Sequence, residues 1–263
     1  MVETDTMASA SAFRFLGIRV NTLTVPELNE IVARAVRGSA QTVIACHNLH
    51  SLYIFHHDAK MRSFHDRADY VHIDGMGIVL LGCLLGHPLR RQHRVTYLDW
   101  LTPLLEQARS QKWRVFYFGM RGSICAQAQA AVAQNCPGLE FETAHWDIEN
   151  VPEGALRKEV LKKINDCQPH ILFVGLGQPR QEHWIFDNLS NISATVVLPC
   201  GAAMDYVAGA AISPPRWAGR LGLEWFCRLI SEPRHLWRRY LIEPWYVLRL
   251  FCLEMVSNPT RAK

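Results

Sequence analysis

Four short polar clusters sit where the chain has just finished an apolar run: Cys46-His47-Asn48, Asp74-Gly75, Gly119 to Ser123, and Gln178 to Glu182. Asp74 follows YVHI and is flanked by Gly75 and Gly77, so its carboxylate either faces a cleft as a proton acceptor or is a turn aspartate capping a helix. In GLGQPRQEHW, Gln178 or Gln181 could cap the helix that Pro179 opens. Two glutamines with Arg180 and Glu182 exceed what one cap needs, which favours ligand binding. The GMRGS turn, with Gly119 and Gly122, can offer backbone N–H groups to a phosphate. Gly201 and Asp205, in GAAMD, end another apolar run; Asp205 suits a ribose hydroxyl or a base edge, or is a plain turn residue. Neither GMRGS nor the Gly175-Leu176-Gly177 turn carries the G-x-G-x-x-G spacing, so a dinucleotide fingerprint is not supported. His47, His50, His56, His57, His65 and His72 crowd one region without metal-ligand spacing and read as surface or satisfied histidines rather than a metal site.

These clusters need elements to bring them together. From residue 41 onward, short β-like runs alternate with helical patterns, which predicts an α/β fold: a Rossmann-like, mainly parallel sheet flanked by helices. Strands are predicted at 41–48, 69–77 (opening into a Gly-rich turn), 114–119, 139–145, 170–177 and 194–201. Helices are predicted at 59–68, 96–111, 122–135 with Ser123 as N-cap, 153–166 and 179–189. In such sheets ligands bind beyond the C-terminal strand ends. All four polar clusters fall there, so the fold would gather them at one edge.

The 263 residues are enough for a full core, and about half are apolar. The start, MVETDTMASASAF, lacks a basic region and a long apolar run, so no secretory signal is expected. An apolar, uncharged stretch, 75–89, is 15 residues with four glycines, too short to span a bilayer. Eight cysteines without a CxxC pair read as reduced thiols. Charge is uneven: residues 213–263 hold nine Lys/Arg against four Asp/Glu and four of the eight tryptophans. The body is near neutral. A domain boundary is therefore placed near residue 212, between an α/β domain (1–212) and a basic, aromatic-rich helical appendage (213–263). Pro233 and Pro244 are each suited to a first helical position. A basic, tryptophan-rich appendage fits an anionic surface, membrane before nucleic acid.

The order of motifs resembles one family. Asn48 at a strand end, DGMG (74–77), Arg94, GLGQPRQEHW (175–184), GAAMDYVAG (201–209) and PRWAGRLGLEWFCRLISEPRHLWRR (215–239) match the pattern of the WecG/TagA/CpsF glycosyltransferases from about residue 41 to residue 241. The resemblance implies an inverting hexosyltransferase that uses a UDP-sugar (of ManNAc, ManNAcA, Glc or GlcA type) without metal or other cofactor. The acceptor would be a polyprenyl-diphosphate-linked saccharide in cell-surface polysaccharide synthesis. It implies Asp74 as general base, Asn48 and Gln181 on the sugar, Arg94 on the diphosphate leaving group, and Gly201 and Asp205 at the nucleotide end, with Trp146 an aromatic near the base. Gly119, Gly122, Gly175, Gly177 and Gln178 complete the expected donor pocket. Arg228, Arg234 and Arg238 would meet the acceptor diphosphate and the membrane, placing the enzyme on the cytoplasmic face of the inner membrane, with a homo-oligomer admitted. Cys46 stands where the family usually has Thr, Tyr97 where it often has Gly, and His235 where it has a tail arginine, with Arg234 beside it. The first two would lie near the donor sugar, so the resemblance does not name that sugar. Two other readings remain: a nucleotide-cofactor oxidoreductase, and a non-catalytic module that binds membrane or nucleic acid.

Overall fold

The computed structural model describes residues 11–146, 153–210, 224–231 and 233–257. Ahead of the predicted alternation the chain forms an antiparallel hairpin, β1 (Ala12–Phe15) and β2 (Ile18–Asn21), around Leu16 and Gly17. Both turn residues have positive φ, 49° and 77°, the geometry that matches a two-residue turn to strand twist. Helix α1 (Val25–Gly38) follows, with Glu27 reaching back to the Thr24 N–H at 2.8 Å.

Six strands form one parallel sheet: β3 (Thr42–His47), β4 (Tyr70–Ile73), β5 (Val115–Gly119), β6 (Phe141–His145), β7 (Ile171–Gly175) and β8 (Val196–Pro199). Their order is β4-β3-β8-β7-β5-β6, and every neighbour pair is parallel. Central strands are apolar on both faces because both faces are covered. In β5, Val115 and Tyr117 enter one core while Phe116 and Phe118 enter the other. Alternation along β7 divides Ile171 and Phe173 from Leu172 and Val174 in the same way.

The first core receives α1, α5 (Tyr97–Ser110), α6 (Gly122–Asn135) and α9 (Ala203–Val207), through Leu28, Leu104, Ala128 and Met204. The second receives α3 (Ala59–Arg67), α7 (Glu153–Cys167) and α8 (Arg180–Asn188), through Phe64, Ile164 and Trp184. The chain therefore leaves β3 towards one face and the adjacent β8 towards the other. A crevice opens between their C-terminal ends, the switch point at which open α/β sheets bind ligands.

A third cluster joins the hairpin, α2 (Leu49–His57) and α4 (Met76–Leu84) to the end of the chain. There α10 (Glu224–Ser231) is followed by α11 (Pro233–Trp237), a π-helical turn (Arg238–Ile242) and α12 (Glu243–Ser257). Pro233 opens its helix as expected, whereas Pro244 is the second residue of α12, which runs on from the π turn. Helix α12 docks on α2. Val247 and Phe251 are buried, His50 meets Glu243 at 2.6 Å, and Tyr246 packs on Tyr53 and His57. Glu254 also accepts a hydrogen bond from the Leu16 N–H. The expected boundary near residue 212 lies outside the described residues. Ser123 is not an N-cap: α6 starts at Gly122 behind Arg121, which places Ser123 inside the first turn. No helix among the described residues is long and apolar enough to cross a membrane, and the eight cysteines are free thiols.

Candidate active site

Strand β3 is buried along its whole length and delivers Asn48 to the crevice. Asn48 is also the N-cap of α2: its Oδ1 accepts from the Ser51 N–H at 2.9 Å. With the oxygen so engaged, Nδ2 is the atom turned to Asp74, donating to Oδ2 at 3.3 Å. Asp74 ends β4, its N–H bonded to the His47 carbonyl at 2.8 Å. The cap of α4 is Gly75, at φ 122°, and no side chain caps that helix. Of the two readings of Asp74, the structure favours the cleft carboxylate over the helix cap. Gly75 supplies a backbone conformation that L side chains rarely adopt.

The opposite wall comes from β7 and β8. After Gly177, at φ 75°, the Gln178–Pro179 peptide is cis and α8 begins with Pro179 as its cap, unassisted by a side chain. Neither glutamine is therefore a helix cap. Gln181 is buried and held at both ends of its amide: Oε1 accepts from the Gly201 N–H at 3.0 Å, and Nε2 donates to Glu182 Oε1 at 2.8 Å. Gln178 Nε2 reaches the same Glu182 oxygen at 3.2 Å. Glu182 thus fixes both amides from beneath. Burial raises its carboxyl from the ordinary 4.5 to about 7, against the two glutamine contacts, which lower it. Its Oε2 has no hydrogen-bond partner among the described residues. Arg180 points away, towards Met120 Sδ at 3.5 Å.

Between these walls lies a cleft of about 240 Å³. Cys46, Cys200 and Tyr97 line it, with the Tyr97 hydroxyl donating to the Pro199 carbonyl at 3.0 Å. The Cys46 and Cys200 thiols and the Tyr97 phenol are all raised, chiefly by burial, and so stay protonated. From the C-terminal arm come Arg228, whose guanidinium lies 6.0 Å from the Tyr206 ring centre, and Arg239. Burial, with Arg228 adding to it, lowers Arg239 from the usual guanidinium range, while Tyr240 and Asp74 act the other way. The cleft so joins a carboxylate and an amide on one side, the amides of Gln178 and Gln181 on the other, and two guanidinium groups above. That set can accept a proton from a hydroxyl, orient a polar ligand and offset the charge of a diphosphate.

Of the residues expected from sequence, Asn48, Asp74, Gly177, Gln178, Gln181, Gly201 and Arg228 meet here. The residues lining the cleft do not include the others. Arg94 runs beside the end of β4 and pairs with Asp99 at 2.9 Å. Gly119 and Gly175 face each other across β5 and β7, and a Cβ on either would come within 2.7 Å of the Tyr117 ring atoms. Their lack of a side chain makes room for Tyr117. A Cβ on Gly122 would meet the His145 ring at 3.2 Å. Trp146 packs near Phe118, ring centres 6.0 Å apart. Asp205 lies 4.0 Å from Arg121. Arg234 and Arg238 are exposed.

Three side chains that sequence reasoning did not assign to the site belong to it: Tyr206, Arg239 and, just below, Glu182. Glu182 had a signal as part of the polar block, and Tyr206 and Arg239 lie inside family motifs, but none of the three had been given a role. Of the six histidines, His50, His56, His57 and His65 have hydrogen-bond partners, as expected of most of them, whereas His47 and His72 differ. His47, His65 and His72 are buried, and His47 Nε2 and both ring nitrogens of His72 lack a well-formed hydrogen bond among the described residues. Burial lowers His72 to about 4, and lowers His47 and His65 as well, so all three stay neutral. The two departures named above, Cys46 and Tyr97, do line the cleft.

Comparison with known proteins bears on this site. Residues 13–261 match the glycosyl transferase WecG/TagA/CpsF family. An N-acetylglucosaminyldiphosphoundecaprenol N-acetyl-beta-D-mannosaminyltransferase of Bacillus spizizenii is 33% identical over 192 residues, 72% of this chain and 71% of that protein. A Staphylococcus aureus protein of the same name is 29% identical over 174 residues, 66% of this chain and 64% of the relative, a little under two thirds of its length. The oxidoreductase and nucleic-acid readings lose their support. With its family motifs spread across both walls of the cleft and its arm, the chain belongs to the WecG/TagA/CpsF family of glycosyltransferases.

Proposed function

We propose that this glycosyltransferase moves a hexose, with N-acetylmannosamine the first candidate, from a UDP-sugar to a polyprenyl-diphosphate-linked saccharide, and does so with inversion. The observation that carries the reading is the Asn48–Asp74 pair facing Gln181 and Gly201 across a cleft that two arginines close. Asp74 takes the proton from the acceptor hydroxyl as its oxygen attacks the anomeric carbon. The bond from that carbon to the diphosphate oxygen breaks, and UDP leaves with the electron pair. A carboxylate is a weak base in water, so positioning matters: Asn48, itself locked by Ser51, holds one Asp74 oxygen and leaves the other free to accept. Gln181 and Gly201 orient the donor, and positive charge from Arg228 and Arg239 offsets the diphosphates. The names of the relatives support a ManNAc donor and an undecaprenyl-diphosphate GlcNAc acceptor. Arg94, beside the same strand end, is proposed to act on the leaving group once substrate is bound.

Residues 213–263 are proposed as a membrane-docking appendage. Among its described residues, Trp237, Leu241, Ile242, Trp245 and Val256 are exposed, alongside Arg234 and Arg238. Peripheral binding to an anionic cytoplasmic leaflet fits, at about 1 kcal/mol for each arginine near the surface. The test is UDP release from a panel of UDP-sugars, with undecaprenyl-diphosphate GlcNAc in detergent as acceptor. Acceptor-dependent release from one donor is expected. Release that ignores the acceptor, or a chain that binds no UDP, would contradict the reading.

A further inference from the structure

Beside the polar cleft runs a second cavity of different character, an apolar groove of about 360 Å³ between α4 and α12. Leu49, Gly77, Leu80 and Leu81 form one wall, and Trp245 and Leu248 stand on the other. Leu80 is 56% exposed, Trp245 69% and Leu248 45%. These side chains are left open to solvent, although a folded chain usually turns such residues inward.

Both walls adjoin cleft residues along the chain. Leu49 is the residue after Asn48, and Gly77, in the first turn of α4, comes three residues after Asp74. Gly77 has no side chain where Leu49 comes close: a Cβ there would lie 2.6 Å from Leu49 Cδ1. On the other side, Arg239 and Trp245 belong to one continuous helical run through the π turn, six residues or about 9 Å of helix apart. A groove that is apolar along its length and cationic at its inner end fits an amphiphile with an anionic head.

We infer that this groove holds the isoprenoid chain of the lipid-linked acceptor, leading it from the bilayer to the arginines that meet its diphosphate. The inference rests on the transferase reading and adds to it a subsite for the lipid. The closeness of the groove walls to Asn48, Asp74 and Arg239 along the chain favours this occupant over a second copy of the chain or the bilayer interior, neither of which needs Arg239 one helical run from Trp245.

The test compares two acceptors in detergent: GlcNAc diphosphate carrying an undecaprenyl chain, and the same head carrying an ethyl group. Leu80→Gln and Leu248→Gln place amides on exposed groove positions, where the fold has little to lose. The wild type should favour the long chain, and each variant should lower that preference roughly tenfold. In parallel, an isoprenoid diphosphate with a photoreactive tail should cross-link to residues 77–84 and 244–248. An unchanged preference in both variants, or equal losses on both acceptors, would overturn the inference. Cross-links elsewhere would do the same. So would a loss of vesicle binding with preference in detergent intact, which would mark the groove as a general membrane contact, or cross-linking between two copies through it. If the wild type transfers no sugar yet the probe labels the groove, the lipid site stands and the transferase reading falls.

Discussion

The polar cleft and the apolar groove share two stretches of chain and differ in almost every other respect. Asn48 and Asp74 face the cleft, whereas Leu49 and Gly77, at most three residues further on, face the groove. In the cleft, polar side chains are held by second partners: Asn48 by Ser51, Gln181 by Glu182 and Gly201. In the groove, exposed leucines and a tryptophan stand without polar company. Buried polar groups must be paired, and pairing fixes their geometry. An apolar wall needs only volume. The contrast is what an enzyme needs when its substrate has a head to be positioned and a tail to be housed.

Substitutions on each side test that contrast. The largest effect is expected from Asp74→Asn, which keeps the shape of the cleft and removes the proposed base. Transfer should fall roughly a thousandfold, with UDP affinity by calorimetry close to wild type. Next is Arg239→Gln, which should cost about a hundredfold in kcat/KM for the lipid acceptor. The neighbouring Arg238→Gln should change that assay little and act instead on vesicle binding. Equal effects at the two positions would mean that the π turn does not set which arginine enters the cleft. Gly175→Ala tests the shared floor: its Cβ would lie 2.7 Å from Tyr117 Cε2 and 2.8 Å from the Gly201 carbonyl oxygen. We expect a loss of about 2 kcal/mol in stability, read from the urea midpoint.

The smallest effect at neutral pH is expected from Glu182→Gln, which keeps an acceptor oxygen for both glutamines. Its signature is in pH dependence. Between 4.5 and about 7 the folded wild type holds a proton on Glu182 that the unfolded chain has released. This group's contribution to stability therefore falls as pH rises through that window. The variant should lose that slope. His72 works in the other sense: lowered to about 4, it stays neutral in the folded state while the unfolded chain protonates below 6.5. Its contribution is lost on acidification, and Glu182→Gln should leave that fall in place. Thermal melts of both proteins from pH 4 to pH 8 would separate the two terms.

Much of this could be read from sequence where the physics is local. Apolar runs such as VFYFG and ILFVG mark strands covered on both faces, and the glycine-rich and polar strand ends mark the ligand edge. The hairpin escaped because its strands are four residues each and its turn, Leu16-Gly17, lacks the usual Asn-Gly signal. Helix α4 escaped because MGIVLLGCL has no polar face; its periodicity is hidden by Leu80 and Leu84, which are exposed. The site divides in the same way. Asn48, Asp74 and Gln181 stand at strand ends or the first turn of a helix and were legible. Arg239 was not, because which arginine of the run faces inward depends on a π turn that shifts the register. Nor was the burial of Glu182, which depends on α8 packing over β7 and β8.

The donor is proposed to bind in the crevice between the ends of β3 and β8. A crystal structure with UDP bound tests it most directly. UDP is expected in the cleft, its diphosphate within reach of Arg228 and Arg239 and its polar edge beside Gln178 and Gln181. UDP held instead at the Gly122 turn that opens α6, with that crevice left open, would contradict it.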